Sequence, residues 1–119
     1  MRSLKLADIT SLTHDEKQAI IRLKERLEHN FQLVKLIMFG SKARGDHSEH
    51  SDIDLMVLVE EPKTPQLREK LSELQFEVIL EQDAPIMSTI ENYRDWLEEK
   101  NISLPFKDSV ESEGVEIEI

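Results

Sequence analysis

Two carboxylates, Asp52 and Asp54, open one of the most apolar stretches of the sequence, Asp52-Ile53-Asp54-Leu55-Met56-Val57-Leu58-Val59. Side chains on a strand alternate faces, so residues 52 and 54 point the same way, with Cα atoms roughly 7 Å apart. Two carboxylates converging on one spot repel unless a cation lies between them. Hard oxygen donors favour Mg²⁺ or Mn²⁺. A divalent ion shared by carboxylates and a polyphosphate is what phosphoryl and nucleotidyl transfer require. Upstream lies Phe39-Gly40-Ser41-Lys42-Ala43-Arg44-Gly45-Asp46. Gly40 follows an apolar run directly, and the missing Cβ lets a ligand approach the backbone. Ser41 and the neighbouring amides can hydrogen-bond phosphate oxygens. A Gly-Ser turn alone, or an Asp-x-Asp alone, is common and usually solvated. The combination carries the weight, because Asp54 sits inside an apolar strand, where an unpaired carboxylate is costly.

These groups need a scaffold. Thr13 and Glu16 have capping-box spacing, and Ala19, Ile20, Leu23 and Leu27 recur at helical intervals, which predicts a helix over 13–29. Residues 33–39, LVKLIMF, predict a buried strand running into a turn. Residues 40–51 read as a polar loop with room for one helical turn, and 52–59 as a second strand. Asp52, Asp54, Met56 and Leu58 then share one face, and Ile53, Leu55, Val57 and Val59 the other. The stripe Leu67, Leu71, Leu74, Val78 makes 65–82 a helix. A third strand follows at 85–91, PIMSTIE, then a short helix from Tyr93 to Lys100. Another begins near Pro105 and ends at Gly114. The tail VEIEI is a strand or an extended segment. Met38, Met56 and Met87 are expected in the core, Trp96 half-buried, and His14 and His29 on helix surfaces. Strands interleaved with helices make the fold class α/β (α+β), a mixed sheet with helices packed mainly on one face.

The chain of 119 residues suits one domain, 1–119. It has no cysteine, which excludes disulfides, a thiol nucleophile and thiolate metal sites and suits a reducing compartment. No apolar run is long enough to span a bilayer, and MRSLKLADITSL lacks a signal-peptide core. A soluble cytoplasmic protein is the expectation. The net charge is −10, with 9 Lys/Arg against 6 Asp/Glu up to residue 46 and 6 against 19 beyond it. The acidic second half repels phosphate backbones, which disfavours direct nucleic-acid binding. It serves solubility, and it would suit a basic protein partner.

The string GSKARGDHSEHSDIDLMV, with Gly40-Ser41 followed after ten residues by Asp52-Ile53-Asp54, resembles the signature of the DNA polymerase β-like nucleotidyltransferase superfamily. It is similar in particular to the minimal nucleotidyltransferase family, small proteins often paired with a helical HEPN-domain protein as antitoxin and toxin. The ending PFKDSVESEGVEI is similar to the tails of some members. The resemblance implies that Gly40 and Ser41 contact a nucleoside triphosphate, that Asp52 and Asp54 hold Mg²⁺ and serve catalysis, and that Arg44 meets phosphate or steadies the loop. A salt bridge from Arg44 to Asp46 or Asp52 is the bland alternative. Ser51 would support Asp52 or the strand entry.

The implied activity is transfer of a nucleoside monophosphate, AMP from ATP, to a hydroxyl of a HEPN-type partner protein. Self-association is left open. In this superfamily a third carboxylate from a later strand stands beside the first two. The centre of 85–91 has no acid, which leaves Glu91 at its end, Glu77 if FEVIL were a strand, and only Ser88 and Thr89 near the pair. Hence a second reading, a nucleotide- or protein-binding antitoxin without catalysis. A third, a small-molecule transferase, would need an acceptor pocket that one small domain lacks. His47 and His50, three apart in a polar loop, more often face solvent than zinc.

Overall fold

Helix α1 (His14–Asn30) begins where the sequence says it should. The Glu16 amide donates to Thr13 Oγ1 at 3.1 Å, and the Thr13 amide donates to Glu16 Oε1 at 2.9 Å. This reciprocal cap satisfies two amides that a helix start otherwise leaves unpaired. Ala19, Ile20, Leu23 and Leu27 then point into the core. The computed structural model describes residues 1–48 and 50–118.

Strand β1 (Arg2–Lys5) and a 3-10 turn (Leu6–Asp8) precede α1. After it come β2 (Leu33–Phe39), the one-turn helix α2 (Ser41–Arg44), β3 (Ile53–Val59), α3 (Pro65–Gln82), β4 (Ile86–Asn92), α4 (Tyr93–Glu98), α5 (Leu104–Glu113) and β5 (Val115–Glu118). FEVIL is helical, and Leu67, Leu71, Leu74 and Val78 of α3 are buried. Thr64 caps α3, and Pro65 starts it at a position where a missing N–H costs nothing.

The five strands form one mixed sheet in the order β1-β5-β2-β3-β4. β2 and β3 pair antiparallel. β3 and β4 pair parallel, which demands a crossover, and α3 supplies it. Ile53, Leu55, Val57 and Val59 pack against α1 and α3 in the main core. Met56 and Leu58 face the other way, into a smaller cluster with Ile37, Trp96 and Val110. So the two long helices lie on one face, and the short α4 and α5 cover part of the other. Phe106 of α5 meets Phe39 and Trp96 edge-on, at 5.6 and 6.3 Å between ring centres.

Several expectations are corrected. β1 is absent from the sequence reading, because a short polar strand, RSLK, has no apolar pattern; its order comes from parallel pairing with β5. The tail is a strand, one of the two forms expected for it, and it lies inside the sheet between β1 and β2, with Ile119 outside the described residues. β3 starts one residue late, at Ile53. Trp96 is buried, not half-buried, and Met87 is exposed rather than core. Among the described residues, no helix is long and apolar enough to cross a membrane.

Candidate functional site

β2 delivers the chain to Gly40, whose φ of +75° and ψ of −159° lie outside what a side chain tolerates well. The turn folds at once into α2. Ala43 and Arg44 amides donate to the Gly40 carbonyl, at 3.1 and 3.0 Å, and the Gly45 amide to Ser41 O at 2.8 Å. As at any helix start, the amides of Ser41 and Lys42 have no intrahelical acceptor. Gly45, with φ of +88°, closes the turn in the left-handed region.

Asp54 stands opposite Phe39 across the β2–β3 pair, which sets its carboxylate beside the turn. A Cβ built on Gly40 would overlap Asp54 Oδ2 and lie 3.2 Å from its Cγ. The sequence reading assigned Gly40 to ligand approach; the structure adds two local reasons, the positive φ and the Asp54 carboxylate. Asp52 lies just ahead of β3 and is exposed, while Asp54 is half-buried. Neither makes an ion pair with a described residue. Burial pushes the Asp54 carboxyl above its ordinary range, and the Asp52 charge adds to this, against a smaller opposing pull from Arg44. A half-buried carboxylate that repels its neighbour and forms no ion pair among the described residues is what a divalent cation would relieve, and its hard oxygen donors suit an ion such as Mg²⁺.

α2 is pinned from three sides, and of these contacts the sequence pointed only to the Arg44–Asp46 salt bridge. Lys42 does not face the carboxylates. It is buried, and its Nζ meets Glu16 Oε2 at 2.9 Å. Glu16 thus closes the α1 cap and anchors the turn together. Burial alone would raise its pKa, yet the Thr13 amide and Lys42 outweigh that and hold its carboxyl below the ordinary range. Arg2 of β1 donates to the Ala43 carbonyl at 3.1 Å. Arg44 donates to Asp46 Oδ2 at 3.1 Å and to Glu113 Oε2 at 2.9 Å, on the last residue of α5. The capping-box spacing of Glu16 and the nearness of Arg44 to Asp46 were sequence signals; the contacts of Lys42 with Glu16, Arg2 with Ala43 and Arg44 with Glu113 are long-range meetings.

The candidates for a third carboxylate do not assemble. Glu77, on α3, accepts from Arg26 at 3.2 Å. Glu91 is buried and ion-paired with Lys63. Ser88 points to the α3 face, where its hydroxyl and amide donate to Gln75 Oε1; only Thr89 shares the Asp54 face. Among the described residues no group of three Asp, Glu or His converges. Ser51 turns to Ser48, whose amide donates to its Oγ at 2.9 Å, rather than to Asp52. His50 is exposed and His47 half-buried.

Residues 20–113 match the family model described as nucleotidyltransferase domain. A protein of Methanocaldococcus jannaschii named "Putative protein adenylyltransferase MJ0141" is 37% identical over 86 residues, which are 72% of this chain and 80% of that protein. A second protein of that archaeon, of the same description and designated MJ1379, is 33% identical over 60 residues, 50% of this chain and 60% of its own length. The crystal structure of a toxin–antitoxin with AMP-PNP superposes with a TM-score of 0.59 at 21% identity, covering 87% of this chain and 72% of that one. A mutant form of the toxin–antitoxin MntA-HpeT gives 0.56 at 23%, covering 84% and 69%. At these identities the two structures speak for the fold.

Proposed function

The chain belongs to the nucleotidyltransferase domain family, and from that premise we propose that it is an Mg²⁺-dependent nucleotidyltransferase acting on a partner protein. The nucleotide is ATP, the group transferred is AMP, and the acceptor is a hydroxyl of a HEPN-type toxin for which this chain is the antitoxin. The observation that carries the reading is the contact between Gly40 and Asp54, which sets the Gly40–Ser41 turn directly against one of the two carboxylates. The relatives' adenylyltransferase name supports the reaction, and the toxin–antitoxin structures, one with AMP-PNP, support the context. The excess of acid beyond residue 46 suits a basic partner surface. A cytoplasmic location agrees with the lack of cysteine.

In this reading Ser41 Oγ and the amides of Ser41 and Lys42 hold phosphate oxygens. Asp52 and Asp54 hold the divalent ion. When bound, that ion neutralises the carboxylates and draws charge from the α-phosphate. Gly40 keeps the gap between turn and carboxylate clear of side chain. Arg44 turns from Asp46 and Glu113 to the polyphosphate, for which its planar fork is suited. The test is incubation with labelled ATP and Mg²⁺, alone and with the partner protein. Labelling of the partner that disappears with Asp54→Asn supports the reading, and unchanged labelling by that variant refutes it.

A second reading has its own observation. Among the described residues no third carboxylate joins the pair, which favours an antitoxin that binds nucleotide and partner without transfer. ATP binding that depends on Asp54, with no labelling of any partner, would select it.

A further inference from the structure

β3 and β4 run parallel, with Asp54 opposite Met87, Met56 opposite Thr89 and Leu58 opposite Glu91. Paired residues on neighbouring strands share a face, with Cα atoms about 4.8 Å apart. Met87 therefore rises beside Asp54 on the carboxylate-bearing face, and it is 55% exposed. The other face of β4 is occupied: Ile86 and Ile90 are in the main core and Ser88 is held by Gln75. A large apolar side chain exposed next to a repelling carboxylate pair contributes little to folding.

Its chemical consequence is larger. Transfer to a hydroxyl needs a proton acceptor. Asp52 and Asp54 are occupied when they ligate a cation. Glu91 is four residues further along β4, about 13 Å away, and is bound to Lys63. Position 87 is the residue of β4 paired with Asp54, from which a carboxylate would be placed to join an ion held there. A thioether is neither a base nor a ligand for a hard cation.

The geometry points to Met87 as the residue that sets the output of this site: it holds the centre at two carboxylates, which bind metal and nucleotide, and keeps transfer by this chain slow. The inference rests on the reading of Asp52 and Asp54 as the metal pair. An aspartate at 87 would supply what is absent. The acceptor oxygen would bond to the α-phosphorus, and the bond from that phosphorus to the bridging oxygen would break. Pyrophosphate would leave with the electron pair, and the hydroxyl proton would pass to the carboxylate at 87.

Met87→Asp and Met87→Asn are compared with the parent for Mn²⁺ binding by electron paramagnetic resonance, and for transfer from labelled ATP. Affinity follows the charge count of the ligands. Met87→Asp is expected to bind Mn²⁺ at least about tenfold more tightly and to gain labelling, while the uncharged variant does neither. A folded Met87→Asp with parental Mn²⁺ affinity and parental labelling overturns the inference. If added charge repulsion unfolds Met87→Asp, refolding on addition of Mn²⁺ supports the proposal, and failure to refold overturns it. Asp54→Asn separates the two levels. If it loses Mn²⁺ binding while Met87→Asp gains none, only the role of Met87 is wrong. If it binds Mn²⁺ as the parent does, the metal pair itself is wrong and the inference goes with it.

Discussion

Gly40 and Asp54 are packed against each other across the β2–β3 pair, with no room for a Cβ between them. Two separate costs should therefore attend Gly40→Ala. One is the left-handed φ of +75°, of order 1–3 kcal/mol for a residue with a side chain. The other is collision with the Asp54 carboxylate. Only the second depends on Asp54. In urea unfolding, Gly40→Ala should cost less in an Asp54→Ala background than in the parent, by at least about 0.5 kcal/mol, a normal coupling for residues in contact. An equal cost in both backgrounds would leave backbone strain as the whole explanation.

Asp54 should destabilise the metal-free protein and stabilise the metal-bound one. Burial and Asp52 raise its folded pKa above the ordinary 3.8. The folded state then holds a proton more tightly than the unfolded chain does. Stability is lost as pH rises from the ordinary value through the raised one. Asp54→Asn should match the parent below that window and melt at higher temperature above it, in chelator. With saturating Mn²⁺ the order should reverse, since only the parent gains from binding. Calorimetric melts at pH 3 and pH 7, with and without Mn²⁺, check both signs.

The ion pair of Glu16 and Lys42 ties α1 to the turn that Gly40 opens. Both side chains are buried, and removing one partner of a buried pair strands the other charge, at about 3–5 kcal/mol. Glu16→Gln should lose part of that figure, since the amide still accepts from Thr13. The pH dependence has the opposite sign to that of Asp54. The Glu16 pKa is lowered from 4.5, so its stabilisation is complete above that value and lost as pH falls through the folded one. The stability gap between parent and Glu16→Gln should be constant from neutral pH to about 5 and shrink below. A gap that stays flat to pH 3 would remove Glu16 as its source.

What the sequence disclosed and what it hid divide by range. The capping box at Thr13, the stripe on α3 and the alternation of β3 are local, and each appears where its spacing puts it. The convergence of Gly40 and Asp54 was legible because the strands carrying them are neighbours in chain and sheet. Met87 was misplaced for a physical reason. Alternation groups it with Thr89 and Glu91, but which side of a strand is covered depends on helices elsewhere. β5 looked terminal because strand order is set by pairing, and Val115 pairs with both Arg2 and Met38. Lys42 is held by Glu16, 26 residues upstream, a meeting that no local spacing announces.

Arg44 separates a scaffold role from a ligand role. Asp46 and Glu113 raise its pKa by direct hydrogen bonds, so it is fully charged and already engaged. Two of its donor nitrogens are occupied, Nε by Asp46 and Nη1 by Glu113. To meet a phosphate it must give up Glu113, Asp46 or both. Exposed ion pairs contribute little to stability, so Glu113→Gln should leave the melting temperature almost unchanged. It should nevertheless tighten Mg²⁺·ATP binding several-fold, because a competing acceptor is gone and one negative charge near the polyphosphate is removed. Charge removal alone would act whether or not Arg44 moves. The double variant distinguishes the two. If Arg44 transfers to phosphate, Arg44→Ala weakens binding, and Glu113→Gln then gives a smaller gain than in the parent, the part due to charge removal alone. If Arg44 only braces the turn against α5, Glu113→Gln gives the same gain in both backgrounds. Titration calorimetry of the four proteins with ATP and Mg²⁺ measures the coupling, and zero coupling would assign Arg44 to the scaffold.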